Sequence, residues 1–295
     1  MRLGIHLYTF GSLEKAALRA AEIGAETFQI FSASPRMWRA GTPDPVQIQR
    51  LQSIRERHAI GPLVIHVNYL INLASGDPEI HAKSVAAFRG ELERAVAIGA
   101  EYLVLHPGSY RGTSIDQGIL AFVDGLYKAA GLYKAAAGFT SRSVTVLLEN
   151  TAGAGSHLGS RFEELRDIRD LAAEVTDLPI GYCLDTCHLF AAGFEISTQS
   201  GLRQTLRRAE ELLGMANVHV IHANDSKAPF GSHVDRHAKI GQGQIGSEPF
   251  RRILAHPKLR GKVFISETPV EEDGDDRRNL DTLKALAPKR GTRQA

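Results

Sequence analysis

Apolar residues along the chain follow two alternating patterns. Short apolar runs typical of buried strands alternate with longer stretches whose apolar positions recur every three or four residues, as on one face of a helix. Eight strand-like runs occur: RLGIHLY, TFQIFS, PLVIHV, YLVLHP, VTVLLEN, IGYCLDT, VHVIHAND and KVFISET. The helical stretches include SLEKAALRAAEIG, EIHAKSVAAFRGELERAVAIG and RFEELRDIRDLAAEV, with predicted C-caps at Gly24 and Gly99 and a last helix at 276–286.

This alternation predicts the fold. Strands that alternate with helices indicate a parallel sheet, and eight such units predict an α/β fold closed as a single (β/α)₈ TIM barrel. The length of 295 residues also suits two domains, but no linker rich in Pro, Gly or Ser divides the chain. We therefore predict one domain over residues 1–287 and a flexible basic tail over 288–295. A tandem duplication, GLYKAAGLYKAAAG at Gly125–Gly138, predicts a lengthened outer helix.

Composition narrows the class of protein. A hydrophobic content of 43% with 23% charged residues is typical of a globular protein. We find no apolar run near the ~20 residues that cross a bilayer, and no signal peptide pattern at the start. Two cysteines exclude a disulfide framework or a four-cysteine zinc site. These features predict a cytoplasmic protein without a membrane partner. The net charge of +2 leaves room for a local basic rim that binds nucleic acid.

Six of the predicted strands deliver a histidine or a carboxylate at or just beyond their ends. In chain order these residues are His66, His106, Glu149, Asp185, His188, His222, Asp235, His237 and Glu267. The carboxyl ends of all barrel strands meet on one face, so the nine side chains are expected to converge there. A lone histidine is more often structural, and a lone carboxylate can cap a helix. Nine together, with few compensating cations, would repel one another strongly in a dry pocket, which predicts bound metal.

The ligand types indicate which metals fit. Nitrogen and oxygen ligands suit Zn²⁺, and Mn²⁺ or Fe²⁺ is also compatible. Nine ligands are too many for one ion and suit two or three with a bridging carboxylate. In the stretch GYCLDTCHLFAAG, Cys183 shares a strand face with Asp185 and is expected one layer deeper, in the core. Cys187 has no evident thiolate partner, so we assign the chemistry to Asp185 and His188.

Several motifs occur together in a recognisable order. They are YLINLAS after His66, LHPGS, LENTAGAGSHLG, CLDTCHLFAAG, HANDSK, GSHVDRH and SETP. With them the chain resembles the endonuclease IV family of AP endonucleases, from about Leu3 to Thr268. The resemblance implies a zinc-dependent TIM barrel that cuts DNA on the 5′ side of an abasic site, leaving a 3′-hydroxyl and a 5′-deoxyribose phosphate. Trimming of blocked 3′ ends is also expected.

The resemblance also implies roles for individual residues. It implies three zinc ions: the first held by His66, His106 and Glu149, the second by Glu149, Asp185, His222 and Glu267, and the third by His188, Asp235 and His237. Glu149, which would bridge the first two, is the expected catalytic residue. Arg36 in SPRMWRA and Tyr69 in the next loop are implied to bind DNA as wedges. The expected partner is double-stranded DNA with abasic sites or blocked 3′ ends, bound by a monomer without an obligate protein partner.

Four positions depart from the family pattern, and two other functions compete. Val67 and Asn68 replace a more polar or smaller pair, His233 stands where Arg is frequent, and Gln242 stands where GEG is frequent. These departures bear on DNA affinity and damage range. A sugar isomerase or epimerase of the same barrel superfamily needs only one or two metals, so the third ligand set argues against it. A non-catalytic DNA-damage binder would be expected to lose a ligand, and none is lost.

Overall fold

The computed structural model describes residues 1–9, 11–137 and 144–289, and it forms the predicted barrel. Each of the eight predicted strand runs holds a barrel strand: β1 (Arg2–His6), β2 (Thr27–Phe31), β3 (Leu63–His66), β4 (Tyr102–Leu105), β5 (Thr145–Glu149), β6 (Ile180–Asp185), β7 (Val218–His222) and β10 (Val263–Ser266). Neighbouring strands run parallel and close in the order β1-β10-β7-β6-β5-β4-β3-β2. A short antiparallel hairpin, β8 (Asp225–Ser226) with β9 (His237–Ala238), follows β7.

Helices lie between the barrel strands. They are α1 (Leu13–Glu22), α2 (Pro45–Arg57), α3 (Pro78–Ile98), α4 (Ile115–Ala137), α5 (Phe162–Val175), α6 (Thr186–Ala191), α7 (Gln199–Leu213), α8 (Ser247–Ala255) and α9 (Asp275–Leu286), with a 3₁₀ turn at Met215–Asn217. Gly99 caps α3 with a φ of 76°, as predicted. Ile23, one residue before Gly24, is the C-cap of α1. The last helix begins one residue earlier than predicted.

The two segments of unusual sequence lie partly outside the described residues. The duplicated segment forms the second half of α4 up to Ala137, which agrees with a lengthened outer helix, and Gly138 lies outside the described residues. Residues 290–295 of the predicted tail also lie outside them, so the boundary between domain and tail stays a prediction. Over the part of the chain that the structure describes, no helix combines the length and apolar character needed to cross a membrane.

The barrel interior has an apolar layer directly below the mouth. Its buried members are Val64, Val104, Leu147, Cys183, Val220, Val263 and Ile265. Side chains alternate along a strand, so the residue two positions further on faces the same interior one layer higher. For six of these seven residues, that position holds one of the predicted ligands; the seventh, Val263, lies one layer deeper, below Ile265. Cys183 is therefore core packing beneath Asp185, as its place in the strand predicts.

Candidate metal centre

The structure brings the nine predicted ligands together at the mouth of the barrel. Potential ligand atoms lie within 4.8 Å of one another in three groups that use most of them: His66, His106 and Glu149; Glu149, Asp185, His222 and Glu267; and Asp185, His188 and His237. The remaining residue, Asp235, contacts both histidines of the third group. Strand ends up to 201 positions apart (267 minus 66) thus contribute to one site.

The first group has the spacing of ligands around one zinc ion. Two ligands of a tetrahedral zinc with bonds of about 2.0–2.1 Å lie about 3.3–3.4 Å apart. Glu149 Oε2 lies 3.2 Å from His66 Nε2 and 3.3 Å from His106 Nε2. The Glu149 side chain is fully buried, so its charge needs a partner.

Glu149 presents its other oxygen to the second group. Oε1 lies 2.8 Å from His222 Nδ1, and Glu267 Oε2 lies 3.4 Å from the same nitrogen. Asp185 completes this group and also caps α6, since its Oδ1 accepts the backbone N–H of His188 at 2.8 Å. One carboxylate that gives an oxygen to each of two groups has the geometry of a bridging ligand.

The third group contains two buried ring nitrogens that lack a hydrogen-bond partner among the described residues. His188 Nε2 lies 3.1 Å and His237 Nε2 lies 3.3 Å from oxygens of Asp235. Neither nitrogen has a hydrogen-bond partner among the described residues, because these contacts lack hydrogen-bond geometry. Nitrogen and oxygen atoms this far apart have the spacing of two ligands around one tetrahedral zinc ion, so the group suits a shared cation.

Backbone carbonyls fix which nitrogen most of these rings offer. His66 Nδ1 donates to the carbonyl of Val67 at 2.8 Å, and His188 Nδ1 donates to that of Asn150 at 2.9 Å. A carbonyl only accepts, so both rings carry a proton on Nδ1, and Nε2 is the atom that would bind metal. His222 is turned the other way, with Nδ1 toward the carboxylates.

Histidine contacts favour the anionic forms of Glu149 and Asp235, whereas burial raises the pKa of Asp185 and of both thiols. Burial alone would raise the pKa of Glu149, but His222 and His106 bring it well below its ordinary value. Burial likewise opposes ionisation of Asp235, yet contacts with His188 and His237 lower its pKa. Burial raises the pKa of both cysteine thiols to about 12, so neither forms a thiolate at neutral pH. The assignment of chemistry away from the thiols agrees with these shifts.

Sequence reasoning missed the polar side chains that hold the ligands. Asn224 Nδ2 donates to Asp185 Oδ2 at 2.6 Å, and its Oδ1 accepts the backbone N–H of Glu267 at 2.7 Å. Asn150 Oδ1 accepts the backbone N–H of Asp185 at 2.7 Å. Both asparagines lie within the quoted motifs, directly after or near a ligand, and that position was the available signal. Such contacts orient ligands and tune their basicity.

The first two strands also place polar side chains at the mouth. His6 ends β1, and Gln29 is the third residue of β2, where the period of two from buried Thr27 could have identified it. Gln29 contacts both His222 and Glu267. Burial lowers the pKa of His6 to about 4, so this ring is neutral at pH 7.

Above the ligands lies an open cavity of about 700 Å³. Tyr69 is 72% exposed on its rim and packs edge-on against Phe31. Arg36 is exposed and lines an adjoining groove of about 680 Å³, which shares Tyr8 and Phe31 with the cavity. The structure therefore brings Tyr69 to the metal site and places Arg36 beside it, in a second groove. We call the segments 32–39 and 67–72, which carry these two residues, the rim loops.

A buried ion pair on α3 connects the rim loops. Arg94 Nη2 lies 2.9 Å from Glu91 Oε1, and both side chains are buried. Ser32 of the first loop donates to Glu91 Oε2 at 2.5 Å and accepts from Arg94 Nε at 2.8 Å. Asn68 of the second loop donates to Glu91 Oε1 at 3.4 Å and accepts the N–H of Leu70 at 3.0 Å. Asn68, one of the four departures, thus joins the second loop to the same carboxylate that Ser32 of the first loop contacts.

The other three departures lie around the site without entering the ligand groups. Val67 is buried. His233 has a φ of 56°, and its Nδ1 donates to the carbonyl of Ala152 at 2.9 Å. The backbone N–H of Gln242 donates to the carbonyl of Lys239 and closes a turn.

The chain matches a protein-family model and proteins that share one name. Residues 17–287 match the family model described as a xylose isomerase-like TIM barrel. The chain is 70% identical over 287 residues to a probable endonuclease 4 of Solibacter usitatus, covering 97% of each protein. It is 40% identical over 269 residues to a probable endonuclease 4 of Halothermothrix orenii, covering 91% of this chain and 94% of the relative.

Solved structures agree. Endonuclease IV from Thermus thermophilus superimposes with a TM-score of 0.84 at 37% identity, covering 97% of this chain and 98% of that one. A D-tagatose 3-epimerase-like protein superimposes with a TM-score of 0.68 at 20% identity, covering 97% of each chain, which reflects the shared fold alone.

Proposed function

Because this chain belongs to the endonuclease IV family and is a metal-dependent DNA repair AP endonuclease, we propose that it hydrolyses the phosphodiester on the 5′ side of an abasic site with a three-zinc centre. The products are a 3′-hydroxyl and a 5′-deoxyribose phosphate, and blocked 3′ ends are trimmed at the same site. Mn²⁺ or Fe²⁺ can replace zinc at some positions, since the ligands are nitrogen and oxygen only.

The observation that carries this proposal is the position of Glu149. Its two oxygens face two different ligand groups, at 3.2–3.3 Å from His66 and His106 and at 2.8 Å from His222. A third group around Asp235 lies beside them, linked through Asp185, whose Oδ2 is 3.8 Å from His237 Nε2. Three adjoining groups exceed what a one- or two-metal sugar isomerase needs.

Each part of the site has a separate role in the proposed reaction. Bound zinc supplies a Lewis acid for the phosphate oxygens and lowers the pKa of an attacking water to about 7. Glu149 fixes the separation of the first two groups and holds them rigidly, because its side chain is fully buried. Asn224 donates to the Asp185 carboxylate and restricts its rotation, and Asn150 holds the Asp185 backbone in place by accepting its N–H.

The rim loops are proposed to hold the bent DNA. Tyr69 projects from the rim and Arg36 lies in the adjoining groove, so the two can enter a duplex from neighbouring positions. Lys227 and Arg236 line the cavity and are exposed, which supplies positive charge for phosphates. We expect the protein to act as a monomer that leaves this face free for a duplex, and its cytoplasmic location also remains a prediction.

Metal content and incision test the proposal together. Elemental analysis of protein purified without chelator should give close to three zinc equivalents per chain. The protein should cut a duplex carrying one abasic analogue on the 5′ side of the lesion. A content at or below one that does not rise on addition of zinc, together with no incision, would contradict the three-zinc centre and favour the isomerase.

Glu149→Gln provides the matched variant. It should abolish turnover while the far-ultraviolet circular dichroism stays native, since the apolar layer lies below the mouth. Glu248→Gln, on the exposed start of α8, is the control and should leave incision unchanged. Full metal content with tight binding of abasic DNA but no cleavage by the unmodified protein would instead indicate a damage-binding protein.

A further inference from the structure

Gln29 is a buried amide that contacts the metal centre from below the first rim loop. It comes from β2, a strand that supplies none of the nine predicted ligands. Its side chain is fully buried and makes three polar contacts: with His222 Nε2 at 2.8 Å, Glu267 Oε1 at 2.6 Å and His6 Nδ1 at 3.0 Å. Two of these three partners are predicted ligands of the same ion.

The contact with Glu267 fixes the orientation of the amide. With Nε2 toward Glu267, the amide donates to a carboxylate oxygen. The reversed amide would set two oxygens 2.6 Å apart, which is repulsive. Nε2 has a second hydrogen, and this one points to His6 Nδ1, which accepts it. Oε1 therefore faces His222 and accepts from its Nε2–H.

This orientation determines what both ligands offer. With the His222 proton on Nε2, the lone pair of the ring is on Nδ1, which lies 2.8 Å from Glu149 Oε1. With Glu267 Oε1 held by the amide, Oε2 faces His222 Nδ1 at 3.4 Å and also accepts from Asn224 Nδ2 at 3.2 Å. A carboxylate oxygen has more than one lone pair, so Oε2 can still bind metal, and its distance from His222 Nδ1 is that of two ligands around one zinc ion.

We propose that Gln29 is a positioning residue for the second metal: it makes His222 bind through Nδ1 and Glu267 through Oε2. His6 supports it by accepting the second amide hydrogen. The inference rests on the proposed zinc centre, and it adds a residue on a strand that holds no ligand. His222 would then differ from His66 and His188, whose carbonyl partners leave Nε2 as the binding atom.

Gln29→Met tests the role, since Met fills a similar volume but neither accepts from His222 nor donates to Glu267. Loss of a polar partner behind a ligand typically weakens metal affinity about 10–100-fold. We expect one of three zinc equivalents to be lost to a chelator at a concentration about 10–100-fold lower than in the unmodified protein. The other two equivalents should be retained. Gln204→Met, at an exposed position of α7, is the control and should change nothing.

A spectroscopic measurement separates positioning from general stabilisation. Proton–nitrogen spectra of the zinc-loaded, ¹⁵N-histidine-labelled protein should show His222, identified by its loss in His222→Asn, bound through Nδ1. Gln29→Met should remove or alter that signature, while the signals of His66 and His188 persist. Gln29→Leu, which also removes both polar contacts, should have the same effect and serves if Gln29→Met does not fold.

The outcomes distinguish this inference from the proposed function. Unmodified protein that holds one zinc or none contradicts the three-zinc centre itself. Three equivalents in the unmodified protein, with equal chelator resistance and an unchanged His222 signature in Gln29→Met, would overturn the role of Gln29 alone. Binding of His222 through Nε2 in the unmodified protein would also overturn it.

Discussion

Asp225→Asn is expected to loosen the hairpin that carries His237, one of the predicted ligands of the candidate metal centre. Asp225 is fully buried at the start of β8, and β8 pairs with β9, whose first residue is His237. The Asp225 carboxylate accepts five backbone N–H groups at 2.8–3.2 Å. These come from Ser226, Gly241, Gly243, Ile245 and Gly246, so one side chain organises the loop from 239 to 246.

The expected loss in free energy of unfolding follows from the number of hydrogen-bond acceptors that Asp225→Asn removes. Oδ1 accepts two of the five bonds and Oδ2 accepts three. Asparagine replaces one oxygen by an NH₂ group, so at least two buried N–H donors lose their acceptor and face another donor. Hydrogen bonds to a charged group contribute about 1.5–3 kcal/mol each. Two of them give about 3–6 kcal/mol before relaxation, and neighbouring bonds are not additive. We expect a loss of about 3 kcal/mol.

Thermal unfolding and metal content measure the effect. At about 2–4 °C per kcal/mol, the midpoint should fall by about 6–12 °C. One zinc equivalent should also become easier to remove, because the predicted ligand His237 lies in the same hairpin, as the first residue of β9. Asp281→Asn, at an exposed position of α9, is the matched control and should shift the midpoint by less than about 1 °C, as expected of a surface change. A loss below about 1 kcal/mol in Asp225→Asn would refute the view that this carboxylate organises the loop.

Three further predictions address the same face of the barrel. Gly243→Ala should lower the unfolding midpoint, because its Cβ would lie 2.5 Å from two oxygens of the β8 segment. Gly261→Ala is the control and should leave the midpoint unchanged, because the space around Gly261 is open. Equal midpoints in the two variants would contradict the prediction. Both cysteines should resist alkylation by iodoacetamide at pH 8 in the folded protein. Burial raises the pKa of each thiol to about 12, and the reactive thiolate forms only as the pH approaches that value. Alkylation as fast as in the unfolded chain would contradict the prediction. The double change Arg36→Ala and Tyr69→Ala should impair incision at an internal abasic site far more than removal of a 3′-phosphate at a flexible nick, because bending an intact duplex costs about 1–6 kcal/mol. Arg207→Ala, at an exposed position of α7, is the control for lost positive charge, and equal losses on both substrates would show that the two rim residues are not wedges.

Much of the fold was predictable because the strands of a barrel are buried on both faces. Such strands read as short apolar runs, and their alternation with amphipathic helices sets the topology. The convergence of the nine predicted ligands was predictable because the carboxyl ends of parallel strands share one face. The period of two along β6 also placed Cys183 in the core below Asp185.

The sequence by itself thus determined the barrel and the residues at its mouth. Tertiary structure alone decided how they face one another. Gln29 donates to Glu267 across 238 positions of the chain, and Glu91 joins two loops that no local pattern connects. The division of the two Glu149 oxygens between ligand groups depends equally on side-chain rotamers. Local propensity acts over a few residues, whereas these contacts arise only when barrel closure brings distant strand ends within hydrogen-bond distance, where burial makes an unpaired polar group costly.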